Sequence, residues 1–217
     1  MKKINILYED KELLIVNKPP HQLTIATQKK ENNTLYQEAS SYVKKQYPKN
    51  KIFIVHRLDK DTSGIVIFAK NQDTKNYLQN NWSDVKREYI CIVEGQMPKK
   101  HDVLKNYLVE TKTLEVYCTK DKNKGKLAIT EYEVLQTNKK YSLLKINIKT
   151  GRRNQIRAQL AYIKHPIIGD KKYQSKDNSI KRLALHANLI EFNIHNKRYN
   201  ITTKYPNEFA RIFKEIN

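Results

Sequence analysis

Short β-branched and aromatic runs bounded by polar residues recur along the chain and predict strands rather than helices. Residues 4–8 and 13–16 make a first pair, joined by Glu9-Asp10-Lys11-Glu12 as a hairpin turn. Pro19 and Pro20 end the second run because neither can donate to a ladder. Residues 52–55 and 65–69 are buried strands on either side of a charged loop, and residues 87–94 form another that stops at Gly95. Four runs follow, at 104–109, 114–118, 128–135 and 143–148, separated by polar turns without helices. That spacing predicts an antiparallel meander. Residues 183–187 and 199–202 supply the last strands.

Helical spacing is confined to four segments. Leu35, Ala39, Val43 and Tyr47 fall four apart on one face, with Thr34 placed as N-cap and Pro48 beyond the end. Residues 71–82 form a second helix capped by Asn71. After Gly151, Ile156, Leu160 and Ile163 share a face with Arg157 beside it, where an arginine usually snorkels to the surface. Residues 207–216 read as a terminal helix.

Charge narrows the partners. The 217 residues hold 42 Lys and Arg against 22 Asp and Glu, a formal charge of +20, which makes a polyanion the first partner to consider. An AT-rich genome also favours lysine, so the positions of the arginines weigh more than the lysine count. The apolar runs are too short to span a bilayer and the N-terminus lacks an apolar export segment, so neither membrane attachment nor secretion is expected. Cys91 and Cys118 read as reduced thiols of a cytoplasmic protein, and no Cys or His spacing suits a metal. The densest charge run, residues 120–126, reads as a solvated hairpin tip in preference to an RNA-gripping loop.

The loop between strands 52–55 and 65–69 is His56-Arg57-Leu58-Asp59-Lys60-Asp61-Thr62-Ser63-Gly64. Held between two core strands, Asp59 stands at a sheet edge, half withdrawn from water. Arg57 and Asp59 point to one side if the loop is extended, and Thr62-Ser63-Gly64 supplies a tight turn. Arg-x-Asp alone is more often a surface ion pair than a site.

The nonapeptide as a whole resembles the catalytic signature of the RluA-type RNA pseudouridine synthases, His-Arg-Leu-Asp-x-x-Thr-Ser-Gly, and further segments agree in order. Lys18-Pro19-Pro20-His21 is similar to the family's Lys-Pro-x-Gly, with His21 where glycine is usual. Residues 87–95 resemble its Lys/Arg-x-Tyr-x-Ala-x-Val-x-Gly strand, with Cys91 in place of alanine. Residues 150–160 resemble Thr-Gly-Arg-x-His-Gln-Ile-Arg-Val-His-Leu, with Asn154 and Gln159 at the histidine positions. Residues 165–170 resemble His-Pro-Ile-x-Gly-Asp, and residues 183–187 resemble the strand that lines the uracil pocket.

The resemblance implies an α+β protein with a mixed, mainly antiparallel central sheet flanked by helices, the pseudouridine synthase catalytic fold, as a single domain over 1–217. The accessory RNA-binding domain carried by many relatives is expected to be absent, since the first hairpin begins almost at Met1. The implied reaction detaches uracil from ribose, rotates it and rejoins it through carbon, without cofactor or metal. Asp59 is the implied essential carboxylate, acting either as nucleophile or as base toward the sugar. Arg157 is its implied ion-pair partner, suited to the role because it keeps its proton and its fork matches a carboxylate. On the same resemblance Tyr89 is expected to contact the flipped base, Leu183 or Leu185 to close the apolar side of the pocket, and His56, Arg57, Thr62, Arg153 and Gln155 to contact RNA. The implied partner is ribosomal or transfer RNA, met by a cytoplasmic monomer. Two other readings compete. One is a catalytically silent RNA-binding protein, opposed by the intact Asp59, Tyr89 and Arg157 set. The other is a glycosidase-like hydrolase using Asp59 and Asp61, which sit too close in one loop to flank a bond.

Overall fold

The strand and helix patterns sort into two units in the computed structural model, which describes residues 4–27 and 31–214. In chain order the strands are β1 (Ile6–Glu9), β2 (Leu13–Lys18), β3 (Phe53–Ile54), β4 (Ser63–Ala69), β5 (Lys86–Glu94) and β6 (His101–Glu110). They continue as β7 (Val116–Thr119), β8 (Lys126–Thr137), β9 (Tyr141–Ile148), β10 (Leu185–Ile194) and β11 (Lys197–Thr202). The helices are α1 (Leu35–Gln46), α2 (Gln72–Asn80) and α3 (Gln155–Tyr162). The expected class holds: α+β, with a mixed, mainly antiparallel sheet and flanking helices.

The first unit comprises residues 1–85 and 187–203. Here β2 runs antiparallel to β1 and to β4, in a register that sets Lys18 opposite Gly64. β10 lies beside β4 and pairs antiparallel with β11. The apolar side chains of Leu13, Ile15, Ile65, Ile67, Leu78 and Phe192 meet in one buried cluster. Thr34 caps α1 as expected, in a full capping box with Gln37, and Leu35, Ala39 and Val43 are buried. The run at 52–55 shortens to the two-residue β3. The strand expected at 183–187 instead starts at Leu185 and runs to Ile194, because Ile190, Phe192 and Ile194 alternate with polar residues.

The second unit comprises residues 86–186 and 204–217, with strand order β5-β9-β8-β6-β7. The pairs are antiparallel, but the order is not a meander: β8 pairs with both β6 and β9, and β7 takes the far side of β6. Length explains this. The four residues of β7 engage only one end of ten-residue β6, whereas twelve-residue β8 pairs with it from His101 to Leu108. The expected terminal helix is a 3-10 turn over Phe209–Arg211, anchored by buried Phe209, and its predicted end at Ile216 lies outside the described residues.

Candidate active site

In the first unit, the loop between β3 and β4 turns at Asp59, whose carbonyl accepts the Thr62 N–H at 3.2 Å. Two side chains outside the expected site residues hold this loop. Lys18 is fully buried, and its Nζ donates to the carbonyls of Pro19, Gln22 and Lys60 at 2.9, 2.8 and 3.0 Å. The Thr24 hydroxyl donates to the Leu58 carbonyl at 2.9 Å and accepts the Leu58 N–H at 3.2 Å. The backbone is therefore drawn inward on both sides of Asp59. Gly64 follows at φ +116, a conformation that other residues rarely adopt. His21, at the family's glycine position, keeps the turn at φ +64, and its Nδ1 lies 3.0 Å from the Asp61 carboxylate.

The RNA contacts expected on this loop divide. Arg57 is exposed, as a phosphate contact requires. His56 points inward instead: its Nε2 accepts the Ile67 N–H at 3.1 Å and its ring lies 4.7 Å from that of Trp82. Thr62 is also buried, and its observed part is to close the turn with its backbone. Both residues shape the loop, because the flanking strands draw its ends into the core.

In the second unit, Arg157 is 7% exposed rather than snorkelling. Its Nε and Nη2 donate to the two carboxylate oxygens of Asp170 at 2.7 and 2.8 Å, a two-pronged contact. Nη1 donates to Asn154 Oδ1 at 3.3 Å, and the guanidinium lies 5.2 Å from the centre of the Tyr173 ring. Asn154 is left-handed at φ +50, which asparagine tolerates better than most residues. Asp170 is a second carboxylate for Arg157 beyond the one that its motif implies. The available signal was an acid at the end of the His165-to-Asp170 motif, where the glycine at φ +74 turns the chain back.

Around α3 the unit gathers more of the candidate residues. Leu183 and Leu185 are buried in one cluster with Ile156 and Leu160 of α3, and Tyr89 of β5 packs against it, half-buried. Gln155 is not a surface contact. At 4% exposure, its Oε1 accepts from the Thr150 hydroxyl and the Arg152 N–H, and its Nε2 donates to Ile129 O and Thr130 Oγ1. Gln159, one turn on, is equally internal: it donates to Leu104 O and Ala128 O and accepts from Thr130 Oγ1. The two amides tie α3 to β6 and β8. Arg153 is exposed and pairs with Glu110 at 2.8 Å, a weak surface contact that a phosphate could displace.

His186, 2% exposed, is held down to a pKa of about 3 by burial and, secondarily, by the Arg182 charge. The folded state thus binds this proton less readily than the unfolded chain, so the contribution is present above about 6.5 and is lost as pH falls toward 3. Replacing His186 with Asn is expected to flatten the pH dependence of urea unfolding across that window. A slope unchanged from wild type would refute this assignment.

Residues 12–162 match the family model described as RNA pseudouridylate synthase. The chain belongs to this family. Its members are isomerases that convert uridine to pseudouridine in RNA. Among relatives, the chain is 33% identical to a ribosomal large subunit pseudouridine synthase D of Borreliella burgdorferi, over 97% of this chain and 66% of that protein. It is 32% identical to an uncharacterized RNA pseudouridine synthase of Mycoplasma pneumoniae, over 99% of this chain and 71% of that one. In fold it is similar to human RNA pseudouridylate synthase domain containing 4, at TM-score 0.83 and 20% identity over 98% of this chain and 95% of that one. Among the described residues, no three His, Cys, Asp or Glu side chains gather as a metal site, and no helix is long and apolar enough to cross a membrane.

Proposed function

We propose that this pseudouridine synthase family member isomerises uridine in ribosomal RNA, both units serving one catalytic domain. Asp59 is the essential carboxylate, Arg157 its ion-pair partner, and Tyr89 the contact to the flipped base. The observation that carries the reading is that a single family match, over residues 12–162, contains all three. The buried fork from Asp170 supports the role of Arg157: it orients the guanidinium before any second carboxylate engages it, so little ordering is left to the reaction. Tyr89, Leu183 and Leu185 border one apolar cluster, which suits a flat base face. A stacked uridine must first leave its helix, at a cost of a few kcal/mol, and Arg57 is placed to grip phosphates as it does. Ribosomal RNA is favoured over transfer RNA because the Borreliella relative is named for the large ribosomal subunit.

The isomerisation breaks the bond from ribose C1′ to uracil N1 and forms one from C1′ to C5. The C5 hydrogen is released and N1 gains a proton. Ribosomal and transfer RNA carrying tritium at uridine C5 should therefore lose label to water with wild-type protein, ribosomal RNA faster. Asp59→Ala should lower that release at least about a thousandfold. Label retained with the wild type would refute the enzymatic reading, and free uracil would mark hydrolysis instead.

A further inference from the structure

The outer sheet face of the second unit carries chemistry that the site above does not use. Along β6, Leu104 and Leu108 are buried toward α3, so Val103, Lys105, Tyr107 and Val109 point the other way. On β7, Val116 is buried while Tyr117 faces out, and on β8, Leu127 and Ile129 face out in alternation with buried Ala128 and Thr130. The register sets Val109 opposite Tyr117, and Tyr107 opposite both Thr119 and Leu127. Tyr107 and Tyr117 are therefore diagonal neighbours, about 7–8 Å apart on one face. Tyr117 and Val103 remain 51% and 52% exposed.

Beside the tyrosines stands the turn at residues 120–126, with four lysines against one aspartate, a net charge of +3. Its aspartate is internally engaged. The Asp121 carboxylate accepts the Asn123 N–H at 2.9 Å and lies 3.5 Å from the Lys124 ammonium. Gly125 seats the turn against the sheet, since a Cβ there would stand 2.9 Å from the Leu108 carbonyl. Two acids of β8 on this face are paired as well, Glu131 with Lys149 at 3.2 Å and Glu133 with Lys145.

Aromatic rings on an open sheet, bordered by ammonium groups, suit unpaired RNA: bases stack on the rings and phosphates meet the lysines. Protein interfaces are depleted in lysine, and a duplex keeps its bases stacked on one another, so neither fits as well. We propose that the β6–β7–β8 face is a second RNA-binding surface that takes unpaired nucleotides flanking the modified site. Tyr107 and Tyr117 stack bases there, and Lys105, Lys120 and Lys122 hold phosphates. The assignment rests on the pseudouridine synthase reading for its choice of RNA as the natural ligand.

The test uses the full chain and fluorescence anisotropy with a short single-stranded oligoribonucleotide and a duplex of the same length. Tyr117→Ala should weaken single-strand binding about tenfold, while Tyr117→Phe, which keeps the ring, binds as wild type. Duplex affinity should not change in either variant. Replacing Lys120 and Lys122 together with alanine should lower the slope of log affinity against log salt by about 1.4, at roughly 0.7 per phosphate contact. Single-strand affinity unchanged in Tyr117→Ala, or a loss equal on duplex, overturns the proposal; the first result would leave the face to a protein partner. Tritium release from a minimal hairpin separates the two readings. It should persist in Tyr117→Ala and vanish in Asp59→Ala, whose oligonucleotide binding should persist.

Discussion

Asp170→Ala is expected to destabilise the protein by about 3 kcal/mol, since it removes one partner of a desolvated ion pair. The carboxylate is 1% exposed and the Arg157 side chain 8%, so water cannot replace the two lost bonds without opening the core. Asp170 also accepts the Tyr173 N–H at the 3-10 turn over Lys171–Tyr173, which places Tyr173 against the guanidinium. Urea unfolding should report the loss. The double variant Asp170→Ala, Arg157→Met should regain much of it, because no charge is then buried without its fork. It should stay inactive in tritium release. An Asp170→Ala protein as stable as wild type would show that the fork does not organise this region.

The second large effect is expected at Gly64. A Cβ at this position would stand 2.2 Å from the Ala187 carbonyl and 2.6 Å from its nitrogen, both backbone atoms, and φ is +116. β4 and β10 must separate or the glycine must rotate, and either moves the loop that carries Asp59. Gly64→Ala should cost more than about 3 kcal/mol, combining backbone strain with lost strand contact. For a chain of this size that lowers the melting temperature by about 6–12 °C. Gly169→Ala should be similarly severe, with φ +74 and the Arg182 carbonyl at 2.1 Å. Gly151→Ala should be mild: its nearest atom is the end of the Arg87 side chain at 3.2 Å, and its φ is ordinary. Calorimetry on the three variants checks the ranking, and equal melting temperatures would refute it.

Much of the local structure was legible because it depends on near neighbours. The spacing of Leu35, Ala39 and Val43, the Thr34 and Asn71 caps and the runs that became β2, β4, β5 and β9 all appear where the sequence places them. The same holds for His56 to Thr62 as a loop between strands, with Ser63 and Gly64 drawn into β4, since two buried β-branched runs leave the polar residues only a turn. Departures came where polar side chains had to choose between water and the interior. Gln155, Thr62 and His56 have residue types that suit RNA, yet packing turns each inward to a backbone partner or a buried position.

From its sequence alone this protein declares its strands, its helices, its family and the loop that bears Asp59, because periodicity and motif are properties of consecutive residues. Only the tertiary structure decided that β8 pairs between β6 and β9, that Lys18 and Thr24 hold the loop, and that Asp170 grips Arg157. A helix face tells where a long side chain starts. That Asp170 is within its reach depends on how a glycine turn twelve positions away folds back, and that is settled by the burial of everything between.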